Sequence, residues 1–220
     1  MKPIYIDDRL KDIASLVDNC DIIADIGTDH GYLPIFLLQN KIAKFAYACD
    51  VAKGPLQSAI DNLKKYNLQD NSETILTDGL INVPAKVNTI IIAGMGGNLI
   101  IDILKNRQFD FQTYILQPNI HHYALRKYLM ENNFQIVDEK VSYAQKKYYE
   151  IIKVKHGKQT LNENELLYGP INLSKKSELF INKWIETKNK LSKILVDFKG
   201  SKDDKQKIID QIDSINLIIK

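Results

Sequence analysis

Apolar positions follow two rhythms along most of this chain, and the two alternate. Short runs rich in apolar residues recur at positions 21–26, 45–50, 73–77, 87–93 and 113–116, the pattern of strands packed into a sheet. Between them the period becomes helical. Leu10, Ile13, Ala14 and Val17 share one face of an opening helix, residues 32–39 continue as another, and Leu56, Ala59, Ile60 and Leu63 face inward from a helix over 55–66. Helices are also expected over 99–104, with Asn98 as cap, and over 123–131. Residues 134–141 and 148–154 then follow strand upon strand, which predicts an antiparallel hairpin at the sheet edge.

Residues 157–169 read as a polar linker, after which the pattern changes. Ile181, Trp184, Leu191, Leu195 and Phe198 form one helical stripe, interrupted by Lys188, and Ile208, Ile212, Ile215 and Ile219 form a second. Gly200-Ser201 breaks the helix between them, with Ser201 and Asp204 placed to start the next one. Two domains are expected: 1–157, an α/β unit, and 158–220, a C-terminal antiparallel coiled-coil hairpin. Five β/α units closed by a β-β hairpin are the order of the Rossmann-like class I methyltransferase sheet, mostly parallel, rather than of the usual dinucleotide-binding fold.

Composition narrows the setting. With 220 residues and 45% hydrophobic content the chain can bury a full core, and a run of about 18 uncharged apolar residues is missing, so a cytoplasmic protein without a membrane span is expected. Cys20 and Cys49 lack metal-ligand spacing and read as reduced packing residues. The net charge of +3 is uneven: residues 1–154 hold 17 Lys and Arg against 18 Asp and Glu, while residues 155–220 hold 13 against 9. A basic tail suits phosphate contacts, although a solvated lysine-rich helix surface gives the same count.

The candidate chemistry gathers at strand ends. Residues 21–26 run directly into Gly27-Thr28-Asp29-His30-Gly31 and then a helix, the strand-turn-helix of a ligand cradle. Asp25 and Asp29 flank that turn, which argues against a phosphate and for a ligand bearing an amine or hydroxyls, as S-adenosylmethionine does. Asp50 ends the second strand where a ribose-gripping carboxylate sits in nucleotide-binding folds, with a cap for the next helix as the alternative use. Asp78 and Gly79 end the third strand, Gly94-Met95-Gly96-Gly97 the fourth, and Gln117-Pro118-Asn119 the fifth. A nicotinamide-dependent oxidoreductase would share the first turn and Asp50 but not the later glycine cluster. A tRNA-binding module without catalysis would need only the basic tail.

The segments Ala24-Asp25-Ile26-Gly27-Thr28-Asp29-His30-Gly31-Tyr32-Leu33-Pro34, Lys53-Gly54-Pro55, Asp78-Gly79-Leu80, Ile92-Ala93-Gly94-Met95-Gly96-Gly97 and Leu116-Gln117-Pro118-Asn119 resemble the bacterial tRNA (adenine-22-N1)-methyltransferase family. The resemblance covers residues 6–157 in one register and extends more loosely to the coiled coil; it departs from the general methyltransferase Gly-x-Gly-x-Gly at Asp29. It implies methyl transfer from S-adenosylmethionine, leaving S-adenosylhomocysteine, to N1 of adenine 22 in the D-arm region of tRNA, with no metal and no obligate protein partner. Asp25, Gly27, Thr28, Asp29, His30, Asp50, Val51, Asp78, Gly79, Ala93, Gly94 and Met95 are then expected to hold the cofactor. Gly96, Gly97, Gln117, Pro118 and Asn119 are expected at the target base, with Asp29 and Asn119 the candidates for a catalytic role. Lys175, Lys176, Lys183, Lys190 and Lys193 are expected on the outer face of the hairpin, against tRNA phosphates.

Overall fold

The computed structural model describes residues 3–220. Its sheet has seven strands in the order β3-β2-β1-β4-β5-β7-β6. The strands β1 (Cys20–Ile26), β2 (Ala43–Asp50), β3 (Ser72–Leu76), β4 (Thr89–Met95) and β5 (Thr113–Pro118) are mutually parallel. β7 (Lys147–His156) inserts between β5 and β6 (Phe134–Ala144) and runs antiparallel to both, as the hairpin pattern requires. Helices α1 (Asp8–Ser15), α2 (Tyr32–Gln39) and α3 (Lys53–Lys65) cover one face, and α4 (Gly97–Lys105) and α5 (His122–Glu131) the other.

The apolar run in β4 shows why both faces must be covered. Ile90 and Ile92 join Ile100, Leu104, Leu125 and Leu129 on the α4/α5 side, while Ile91 joins Ile13, Leu37 and Leu63 on the other. All three isoleucines are fully buried, each contributing about 1.5–3 kcal/mol relative to exposure. The strand order reverses between β1 and β4, so the crevice beyond their carboxyl ends is where a ligand fits in such a sheet.

Two local expectations change. α4 starts two residues early, with Gly96 as its cap and Asn98 inside its first turn. The cause is Gly97, whose N–H donates to the Ile120 carbonyl at 2.9 Å and whose missing Cβ would strike the backbone oxygens of Ile120 and His121. The segment expected as a polar linker is also largely ordered. Asn162 and Glu165 form a reciprocal capping box that starts α6 (Glu163–Tyr168), and α7 (Pro170–Lys175) follows directly. Leu161, Leu166 and Tyr168 are buried, which ties the segment to the sheet domain and the tail helices.

α8 (Glu178–Val196) and α9 (Lys202–Ile218) form the hairpin. Phe180 and Trp184 near the start of α8 pack with Ile215 and Ile218 near the end of α9, so the helices run antiparallel. Ser201 caps α9, accepting from Asp204 N–H at 3.1 Å. The small core also takes in Val141 of β6 and Tyr168 of α6, so the hairpin is rooted on the sheet rather than tethered to it.

Candidate functional site

β1 ends at Ile26, and the chain turns over β2 because the Gly27 and Thr28 N–H groups both donate to the Cys49 carbonyl, at 2.8 and 3.0 Å. Gly27, Asp29 and Gly31 then all have positive φ, at 77°, 48° and 70°. The φ of Gly27 is what favours glycine there, with the Met95 methyl group lying over it, and Gly31 lets α2 start against Ala59 of α3. The turn and α1 enclose a cavity of about 360 Å³, lined among others by Arg9, Asp25, Thr28, Asp29, His30 and Ala93.

Asp25 lies at the floor of this cavity, 6% exposed. Burial pushes its carboxyl up to about 6, against the opposing effects of the neighbouring Thr28 hydroxyl and the Arg9 guanidinium. The Thr28 hydroxyl is itself buried and outside hydrogen-bonding geometry with any group among the described residues. A buried carboxyl short of partners, an orphaned hydroxyl and an open volume make a receptor for a cationic, hydrogen-bonding ligand group.

The neighbouring strand ends supply the other expected residues. Asp50 uses one carboxylate oxygen to accept from Ala52 N–H at 2.8 Å, the turn that starts α3, and keeps the other. It therefore fixes the turn ahead of the Ala52 N-cap while retaining an acceptor. Asp50, Val51, Asp78 and Gly79 lie outside the cavity lining, at the adjoining carboxyl ends of β2 and β3; Gly79, with φ 58°, packs on Ile103.

Beyond β4 and β5 the glycine cluster and the Gln-Pro-Asn segment are laced together. Gln117 accepts from Arg9 Nη1 at 2.7 Å and Gly94 N–H at 3.1 Å, and donates to the Pro118 carbonyl at 3.0 Å and Asn119 Oδ1 at 3.1 Å. Asn119 Nδ2 donates to the Gly94 carbonyl at 2.7 Å, and its N–H to the Met95 carbonyl at 2.7 Å. This corrects two expectations. Gln117 is fully buried with its amide committed on both sides, and Gly97 is buried against the 120–121 backbone, so neither presents a group to a substrate. Asn119 is exposed and retains one N–H and one oxygen lone pair.

Lys183 also departs from expectation. It points inward from α8 to pair with Glu150, and its ammonium lies 4.5 Å from the Trp184 ring centroid. Glu150 is one of two carboxylates, with Glu139, that clasp the fully buried Arg126. Burial alone would raise the Glu150 carboxyl, but the Lys183 ammonium and Arg126 guanidinium hold it well below the usual carboxylate range. Lys175 pairs with Asp138, whereas Lys176, Lys190 and Lys193 are exposed with no ion pair among the described residues. Tyr5, Arg9 and Gln145 are among the cavity residues that pattern reasoning missed. The first two precede the motif-bearing segment and the third sits in a hairpin turn, so only folding brings them to the cradle.

An acid-flanked glycine turn at the switch point of a 3-2-1-4-5-7-6 sheet is the arrangement of the class I, S-adenosylmethionine-dependent methyltransferases. The model of the family described as tRNA (adenine(22)-N(1))-methyltransferase matches residues 23–217, and the chain belongs to that family. The curated tRNA (adenine(22)-N(1))-methyltransferase of Bacillus subtilis is 29% identical over 231 residues, covering 99% of this chain and 97% of its own length. A Streptococcus pneumoniae protein in complex with S-adenosyl-L-methionine superposes with a TM-score of 0.88 at 34% identity, covering 98% of this chain and 100% of that one. M. capricolum TrmK in complex with S-adenosyl-homocysteine gives a TM-score of 0.84 at 33% identity, covering 96% of this chain and 98% of that one.

Proposed function

We propose that the chain performs its family's reaction on tRNA, with the cofactor in the cradle beyond β1 and β2 and N1 of adenine 22 presented at the Gly94–Asn119 junction. The observation that carries this assignment is the buried, under-partnered Asp25 beside the orphaned Thr28 hydroxyl in the cavity. S-adenosylmethionine, when bound, supplies a methyl group on a cationic sulfur. The carboxylate of Asp25 and the Thr28 hydroxyl would take its ammonium group, and the free oxygen of Asp50 its ribose hydroxyls, with Val51, Asp78, Gly79 and Met95 bordering the nucleoside. Asp29 and His30 line the same cavity, and cofactor contact accounts for Asp29 without a proton-transfer role.

Adenine N1 carries an in-plane lone pair in the neutral base, so the protein has alignment to supply rather than proton removal. N1 is hidden in a Watson–Crick pair, so the base must leave its stack, and the spare amide groups of Asn119 are placed to read its edge. Gly94 and Gly96, lacking side chains, leave that approach open to backbone contact, with Pro118 shaping the loop. Residues 158–220 form the tRNA-contacting tail, through Lys176, Lys190 and Lys193, with Lys175 sharing its charge with Asp138.

Isothermal titration with S-adenosylmethionine and with NAD, followed by mapping of the methylated nucleotide on a tRNA transcript, tests the reading. Cofactor binding with a primer-extension stop at adenine 22 is expected. NAD binding, or modification elsewhere on the tRNA, would overturn it.

A further inference from the structure

The cavity has a rim that the cofactor reading leaves without a task. Its most exposed member is Tyr5, 86% exposed, in an extended segment whose neighbours Ile4 and Ile6 are buried at 7% and 8%. Alternation of side chains along extended backbone turns Tyr5 outward when its neighbours turn in. The Ile4 N–H also donates to Gln39 Oε1 at 2.9 Å, so the backbone beneath the ring is fixed. Of the aromatic rings lining the cavity, His30 and Tyr32 stack on each other at 5.2 Å, whereas Tyr5 has no ring partner among the described residues.

The other side of this rim is the β6–β7 turn. Gln145 lines the cavity and donates to Asp7 at 3.3 Å, which joins the turn to the segment carrying Tyr5. Gln145 and Lys146 both hold positive φ, 50° and 61°, the primed hairpin geometry that Asn-Gly ordinarily occupies. Lys146 and Lys147 are exposed there without an ion pair among the described residues. A single exposed aromatic is ordinary on a protein surface. Here an outward-turned ring on anchored backbone stands at the cavity mouth, two unpaired lysines follow Gln145 in the turn beside it, and Arg9 of the same cavity is hydrogen-bonded to Gln117, which holds Asn119.

Resting on the functional reading above, we propose that Tyr5 is the stacking platform for the unpaired target adenine, with Lys146 and Lys147 holding the flanking phosphates. An aromatic face compensates a base for the stack it has left, and the nearby cations fix the backbone without reading sequence. The ring face is what acts, so the phenol hydroxyl is dispensable.

The test uses the full chain, S-adenosylmethionine and an adenine-22 tRNA transcript, with Tyr5→Ala, Tyr5→Phe and the double variant Lys146→Ala/Lys147→Ala. Tyr5→Ala is expected to bind S-adenosylmethionine like the native protein while kcat/KM for tRNA falls about 5- to 150-fold, the range of one base–aromatic stack. Tyr5→Phe should restore it, and the lysine variant should raise KM for tRNA and flatten its salt dependence. Native methylation by Tyr5→Ala, a parallel loss of cofactor affinity, or a Tyr5→Phe as poor as Tyr5→Ala would overturn the proposal. A native protein that leaves the transcript unmethylated would instead overturn the functional reading itself.

Discussion

Arg9 Nη1 donates to Gln117 Oε1 at 2.7 Å across 108 positions of sequence. The same oxygen accepts from the Gly94 N–H, so one buried amide joins α1 to the ends of both β4 and β5. The loop expected to meet the target base is thereby held by the helix that closes the cofactor cavity. The proposed cofactor and base sites therefore share a wall.

Asn119→Ala removes the side chain that bridges Gly94 and Gln117 while leaving the cavity residues in place. Turnover on tRNA should fall by 10-fold or more, on the order of 1.4 kcal/mol in transition-state binding, with S-adenosylmethionine affinity unchanged. Parallel titration and single-turnover assays check the separation. Loss of both properties together would count against a role at the base.

Asp25→Asn should trade stability against binding. The native carboxyl is raised from 3.8 to about 6, so the folded state binds this proton more tightly than the unfolded state does. Its contribution therefore becomes less favourable as pH rises from about 4 to about 6, by about 3 kcal/mol in total. The neutral amide escapes that loss. Urea denaturation should find the variant more stable than the native protein at pH 7 and similar at pH 4, while titration finds weaker S-adenosylmethionine binding. In the native protein that binding should weaken below about pH 6, as Asp25 takes up its proton.

Asp50→Ala deletes the proposed acceptor for ribose hydroxyls together with the hydrogen bond from the Ala52 N–H. A charge-assisted hydrogen bond is worth about 1.5–3 kcal/mol, so affinity for S-adenosylmethionine should drop at least 10-fold. Circular dichroism should report an intact fold. Unchanged affinity in the folded variant would reassign Asp50 to the turn before α3 alone.

Arg126→Met leaves Glu139 and Glu150 buried without the cation between them, and also strips donors from the Leu166 and Leu167 carbonyls. A destabilisation of about 3–5 kcal/mol is expected in chemical denaturation. A chain cut after His156 should suffer for a related reason. It loses Lys183 from Glu150 and uncovers Val141, so a fall in thermal midpoint should accompany any loss of tRNA binding.

Replacing Lys176, Lys190 and Lys193 together by Gln should weaken tRNA binding and lower the salt slope by up to about 3, nearly one unit per phosphate contact. These three are exposed and unpaired among the described residues, so the thermal midpoint should hold. An unchanged slope would leave the tail with a purely structural role.

The alternation of apolar strands and amphipathic helices was enough to specify the sheet, because a strand covered on both faces and a helix covered on one impose different periods on the chain. Residues 32–39 match α2 end for end, and the β6–β7 hairpin follows from two strands with no helix between. The cradle residues Asp25, Gly27, Thr28, Asp29 and His30 were legible for the same local reason: a glycine turn directly after a buried strand places its neighbours at a carboxyl end. Only tertiary structure decided which polar groups remain free. Gln117, Gly97 and Lys183 carry polar or permissive chemistry in sequence, yet each is committed to a partner distant in the chain. Tyr5 and Gln145 reach the cavity from segments without a motif, since proximity there comes from β7 inserting beside β5 and from α1 docking on the sheet. Periodicity records which face of an element is buried, whereas the partner a side chain meets depends on how elements far apart in sequence are stacked.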